Sequence, residues 1–247
     1  MTDKSSNKEP SLKDLIFKPT TDRTEHLEFS PDLFEWLTIP SGQVTLIGDG
    51  KGYLARNTEI TLTLDSFSIS KYPITNRQYA PYVADGNPAP PYWNDAQFNH
   101  LAQPVVGISW FDAINYSAWL STKLAYEVAP PLDYQWQRAA QGDTDDKFPW
   151  GNRWQPDYAN TSERIGRTTP VDRYPQGASP YGVFDCAGNV WEWCYIDSNL
   201  VDDDIVASSV LCGGSYLNYE MFATVHSRNI RLPNMHYNDV GLRLVKL

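Results

Sequence analysis

From Gln141 to Leu247 the sequence carries no helical period long enough for a helix. Turn residues and short β-rich pieces alternate there instead. A chain of this kind must bury its surface with irregular backbone and large side chains. Those side chains are present: nine Trp, fifteen Tyr and nine Phe, beside eighteen Pro and fifteen Gly. Irregular backbone still needs partners for its N–H and C=O groups, which Asn, Asp and Thr side chains or a bound cation can supply.

The three helical signals lie earlier. Thr75 can cap TNRQYAPYVA, although Pro81 should kink or shorten that helix. Ser109 with Asp112 makes an acidic capping box. Behind it Phe111, Ile114 and Ala118 recur at i, i+3 and i+7, with Trp110, Ala113 and Leu120 widening the stripe. A third helix should start at Asp133 and bury Trp136, Ala139 and Ala140. LFEWLTIP and SGQVTLIGDG read as strand, turn, strand, and residues 59–75 are β-rich with Ile60, Leu62 and Leu64 at period two. The expected class is α+β: loop-rich, with few helices and short strands. Residues 1–28 read as a flexible N-terminal tail or linker, with SLKDLIF (11–17) as its one amphipathic piece. Residues 29–247 read as one domain.

Composition removes several functions. Twenty Lys and Arg against thirty Asp and Glu give a net charge of −10, the wrong sign for a nucleic-acid binder. No apolar run is long enough for a membrane span, and the first residues lack the apolar stretch of a secretory signal. Three cysteines cannot form a disulfide framework, and Cys186 and Cys194 sit in an apolar, aromatic segment that suits buried, inert thiols. A reduced, cytoplasmic compartment fits. The standard phosphate-loop, dinucleotide, zinc-protease and nucleophile-elbow signatures are absent.

YGVFDCAGNVWEWC (181–194) is the most informative stretch. If residues 188–192 are extended, the carbonyls of Gly188 and Val190 point the same way, with Asp185 and Glu192 adding carboxylate oxygens at the ends. Oxygen donors alone suit a hard cation, Ca²⁺ before Mg²⁺. The other reading has the two carboxylates hydrogen-bonded to backbone. His226 and His236 could converge on a metal, or stand as ordinary loop histidines.

The order of these segments resembles one family. LTIPSGQVTLIGDG, FSISKYPITNRQYAPYV, QPVVGISWFDAINYSAWLS, LDYQWQRAAQG, FPWGNRWQPDYANT, TTPVDRYP, YGVFDCAGNVWEW, LCGGSY and DVGLRLV follow the order of the formylglycine-generating enzyme, or sulfatase-modifying factor, family, over about residues 36–247. The resemblance implies a loop-rich, C-type-lectin-like α+β fold. It also implies a calcium site at Asp185, Gly188, Val190 and Glu192, and part of a second at Asn160 and Thr161. The family's reaction oxidises a peptide cysteine with two thiols that bind Cu(I). At the matching positions this chain has Asn218 and Ala223, so no Cu is expected.

Between GGSY and DVGLRLV the residues share no helical or strand period. Tyr216, Asn218, Tyr219, Phe222, His226, Asn229, Arg231, Asn234, His236 and Tyr237 mix rigid aromatics with adaptable polar groups, the composition of a recognition surface, or of ordinary loop and core fillers. GGSY, RNIRLPN and NDVGLRLV also resemble the framework of the variable proteins of diversity-generating retroelements, whose last segment is diversified. The expectation is a non-catalytic protein that binds a protein or peptide ligand through residues 213–247. The alternatives are a Cu-dependent oxidase making formylglycine, or a degenerate paralogue that binds such peptides intact.

Overall fold

The computed structural model describes residues 27–48, 58–162, 164–200 and 209–247. The SLKDLIF piece and most of the expected tail lie outside them. Ten strands and three α-helices are found among the described residues. The strands are β1 (Trp36–Ile39), β2 (Gly42–Ile47), β3 (Glu59–Leu64), β4 (Phe67–Ser70), β5 (Val128–Ala129), β6 (Trp191–Tyr195), β7 (Ser209–Cys212), β8 (Arg228–Asn229), β9 (Val240–Leu242) and β10 (Val245–Lys246). The helices are α1 (Asn76–Ala84), α2 (Trp110–Lys123) and α3 (Asp133–Gln141). No described helix is long and apolar enough to cross a membrane.

Three sheets result. One has the order β1-β4-β10-β5, one is the β2-β3 hairpin, and the central one has the order β8-β7-β6-β9. In the central sheet β6 runs antiparallel to β7 and parallel to β9. The alternation of β6 explains its composition. Trp191 and Trp193 pack with Tyr79, Trp110, Tyr116 and Leu120 of α1 and α2. Cys194 packs on the other side with Trp136 and Ala140 of α3, where the Trp136 indole also donates to Glu192. The segment carrying β9 and β10 leaves the central sheet at Leu242 and enters the first sheet, where Val245 pairs with both Ile69 and Ala129.

The caps form as expected. Thr75 and Gln78 close α1, which runs through Pro81 and stops at Ala84. Ser109 Oγ accepts from the Asp112 N–H at 3.1 Å, and the Asp112 carboxylate accepts from the Ser109 N–H at 2.9 Å. Ser109→Ala is expected to cost about 1 kcal/mol, read as a melting point lower by about 2–4 °C.

The buried face of α2 differs from the expected stripe. Trp110, Ala113, Tyr116, Ser117 and Leu120 point inward, while Phe111 is 55% exposed and Ala118 is exposed too. The stripe is turned because Tyr116 anchors the helix. Its ring stacks on Tyr79 at 4.7 Å and meets Tyr82 edge-on at 5.5 Å, and its hydroxyl donates to the Gln78 carbonyl.

Candidate ligand-binding face

Two glycines launch the C-terminal segment. Gly213 and Gly214 have φ of 94° and 81°, a region L side chains rarely adopt. A Cβ on Gly213 would lie 2.8 Å from the Trp136 ring, and one on Gly214 would lie 2.7 Å from the Ala223 backbone. The chain can therefore turn off β7 and fold against residues 222–223 only with glycine at both places.

Beyond these glycines the segment is pinned by backbone and framework side chains. Asn218 Oδ1 accepts from the N–H and hydroxyl of Ser215, at 3.0 and 2.8 Å. The Ser215 hydroxyl, whose one proton is shared between the two acceptors, also lies 2.9 Å from Asp239, which receives both arms of Arg231 at 2.6 and 3.0 Å. Main-chain bonds tie Tyr216 to Asn189, Ser162 to Asn218, Val225 to Lys147, Trp110 to Pro233 and Gly107 to Tyr237. Arg228 pairs with the buried Asp133 of α3 at 3.1 Å.

None of these bonds uses the large apolar side chains of the segment. Ten large apolar side chains stand exposed among the described residues, and seven of them lie between Leu217 and Met235. Tyr219, Met221 and Leu232 are each more than 60% exposed. A half-open pocket of about 560 Å³ lies among them. Trp191, Met221, Phe222 and Ile230 line it with apolar surface, and Asn218, Thr224, His226, Ser227, Arg228 and Asn229 with polar groups.

The ten residues expected to make contacts thus divide. Asn218, Phe222, His226 and Asn229 line the one pocket. Tyr219 and Asn234 stand exposed nearby in sequence, outside its lining. His236 is held at the start of α2, its Nε2 3.0 Å from Asp112. Arg231 lies over the Tyr237 ring at 4.7 Å and serves the Asp239 pair. Tyr216 corrects the expectation. It is 1% exposed and packs with Phe98, Val106 and Val190, so it supports the surface from below. Composition overlooked Met221, Leu217, Ile230 and Leu232, because single aliphatic residues among polar ones give no period that tells an outward side chain from a core one. It also overlooked Trp191, which reaches the pocket from β6.

The chemistry of the pocket is neutral. Burial, helped by Arg228, lowers the His226 pKa, so its ring is uncharged near pH 7. All three thiols are buried. Burial pushes Cys186 up to about 12 and raises Cys194 well above the usual thiol range. Neither offers a thiolate at neutral pH.

The oxygen-rich turn before β6 differs from the extended chain assumed for it. Gly188 and Asn189 have φ of 113° and 62°, and the Val190 N–H donates to the Gly188 carbonyl at 2.9 Å. Both Glu192 oxygens are engaged by Arg243, at 2.8 and 2.9 Å, and one also by Trp136 at 2.6 Å. Backbone bonding does not account for Glu192; an arginine 51 residues away does. Asp185 is different: its carboxylate accepts from the Asn189 amide at 2.7 Å, and burial raises its pKa to about 8. Among the described residues no three His, Cys, Asp or Glu side chains are grouped so as to hold a metal ion. A calcium ion here would rest on Asp185, the carbonyls of Gly188 and Val190, and a Glu192 shared with Arg243. That all-oxygen set fits the ion in kind.

A family model described as the sulfatase-modifying factor enzyme 1-like domain matches residues 26–247. A serine/threonine-protein kinase pkn1 of Chlamydia caviae is 30% identical over 203 residues, 73% of this chain and 31% of that protein. The inactive C-alpha-formylglycine-generating enzyme 2 of Bos taurus is 32% identical over 160 residues, 58% of this chain and 50% of that one. The chain thus spans half or less of the length of these curated relatives. The solved structure of Treponema denticola variable protein 1 is similar with a TM-score of 0.71 and 21% identity, covering 86% of this chain and 95% of that one.

Proposed function

Because the chain belongs to the sulfatase-modifying factor enzyme 1-like family, with its loop-rich, C-type-lectin-type α+β fold, we infer that it keeps the scaffold without the oxidase chemistry and binds a protein ligand through residues 213–247. The observation that carries this reading is the gathering of exposed apolar side chains in a segment whose backbone is held without them. Exposed rings beside a pocket, rimmed by polar groups, are the usual anatomy of a contact surface. Asn218 and Ala223 stand where the resemblance calls for cysteines. Asn218 serves as a hydrogen-bond acceptor, Ala223 is buried, and no thiol reaches the pocket lining.

The same independence supports a finer reading, that the segment tolerates diversification as in a variable protein. A side chain that holds no backbone can change without unfolding the scaffold. The proposal places the protein in a reducing compartment, which suits three unpaired thiols. It also includes a calcium ion at Asp185.

The test is affinity. Tyr219→Ala with Phe222→Ala should weaken binding to a partner captured by the intact chain at least ~10-fold, about 1.4 kcal/mol. The melting point should stay within about 2 °C. Tyr237→Ala should cost affinity and stability together, since its ring carries Arg231. Unchanged affinity in the double variant would sink the reading. A sulfatase-type peptide incubated with the Cu(I)-loaded protein should show no aldehyde by mass spectrometry.

A further inference from the structure

Two side chains of the pocket carry a polar atom with no partner. Trp191 is 3% exposed, and its indole N–H has no hydrogen-bond acceptor. His226 Nδ1 is buried and likewise unpaired. Trp136 and Trp193 are satisfied, donating to Glu192 and to the Ile108 carbonyl, while the Trp36 indole, away from this pocket, is unpaired like Trp191. A buried donor without an acceptor costs free energy, and native proteins retain few of them without a use. Among the buried unpaired side-chain atoms of the described residues, these two belong to residues that line the same pocket.

The lining dictates what such an occupant must be. An indole N–H can only donate, so the ligand brings an acceptor. A neutral imidazole can take a donor or give one. The one cation of the lining, Arg228, is committed to Asp133 and to the Gln137 side chain, so no free positive charge waits there for a carboxylate or phosphate. The walls are Met221, Phe222 and Ile230, which suit a short apolar stem.

We propose that the pocket takes the side-chain amide of an asparagine or glutamine on a protein ligand, its oxygen accepting from Trp191 Nε1–H and its NH₂ donating to His226 Nδ1. Both protein atoms are shielded from solvent, so a wall must move to admit the group, and the exposed, unbranched Met221 of the same lining is a side chain free to do so. This proposal rests on the binding-face reading and names the chemistry at its centre.

The test uses the full chain labelled with ¹⁵N and two probes, N-acetyl-asparagine methylamide and N-acetyl-leucine methylamide. Their backbones are the same, so a difference reports the side chain. The Trp191 indole signal, assigned by its loss in Trp191→Phe, should move downfield with the asparagine probe, at least ~3-fold further than with leucine. His226→Leu should cut the asparagine response several-fold and strengthen the leucine one. It also serves if Trp191→Phe does not fold, because the indole signals can then be followed with and without the imidazole. Equal responses to both probes would overturn the amide assignment and leave the binding face standing. A silent indole with either probe would overturn it too, and the alanine pair at Tyr219 and Phe222 judges the face separately.

Discussion

Arg243→Ala is expected to destabilise the protein by about 3–5 kcal/mol, because it strands a buried charge. The guanidinium is fully buried and spends its donors on three parts of the chain. It meets Glu192 of β6 twice, the carbonyls of Ser70 and Lys71 at 2.8 and 2.9 Å, and the Phe184 carbonyl at 2.5 Å. Truncation would leave Glu192 in the core with only the Trp136 indole, and would take a donor from the carbonyls of Ser70, Lys71 and Phe184, of which Lys71 keeps the Phe184 N–H. A domain of this size loses about 2–4 °C of melting point per kcal/mol, so a fall near 10 °C is the readout. Arg243→Lys should recover little, because an ammonium cannot span Glu192 and the carbonyls at once. Pairing Arg243→Met with Glu192→Met should cost less than Arg243→Ala alone, since no charge is then stranded. A single variant within about 1 kcal/mol of the parent would refute the account.

The second large effect concerns Asp185 and its sign is set by burial. The folded protein holds a proton at Asp185 up to about pH 8, whereas an unfolded chain releases it near 3.8. Between those values the folded state binds more protons, so stability falls as pH rises through the window. In calcium-free buffer the loss by pH 8 should reach a few kcal/mol, because each tenfold difference in proton affinity between the two states is worth about 1.4 kcal/mol. Asp185→Asn removes the ionisation, keeps an acceptor for Asn189 and suits the φ of 58° at that residue. Its melting point should exceed the parent's at pH 8 and its pH profile should be flatter. Millimolar calcium should stabilise the parent increasingly toward alkaline pH, as the ion replaces the proton, and the effect should shrink in Asp185→Asn. Parallel profiles for parent and variant would remove Asp185 as their cause.

How far the sequence could be read depends on how local each signal is. The caps at Thr75 and Ser109 and the start of α3 use residues three apart, and all were legible. The β-rich runs also became strands. The inward face of α2 was not legible, since Tyr79 and Tyr82 of another helix select it by packing around Tyr116. Glu192 was visible as a carboxylate in need of a partner, a cation or the backbone, but its partner Arg243 could not be, because no short-range rule links them. The turn at Asp185–Asn189 defeated a period-two reading through its left-handed residues. In the C-terminal segment, composition pointed to a recognition surface and found four of the pocket residues. It could not tell Tyr216, folded under, from Tyr219, facing out.

The passage of one segment from the central sheet into the first has a consequence for truncated products of this chain. Val245 pairs with Ile69, so the first sheet stays incomplete on a growing chain until the last residues of the C-terminal segment have left the ribosome. β9, Arg243 and β10 all come after Asp239. A frameshift or premature stop anywhere between Gly214 and Asp239 removes all three together. Such products cannot close the core and are left to proteolysis, while in-frame substitutions at exposed positions spare it. The fold thereby reads its own frame: only chains translated intact through Asp239 can complete both sheets.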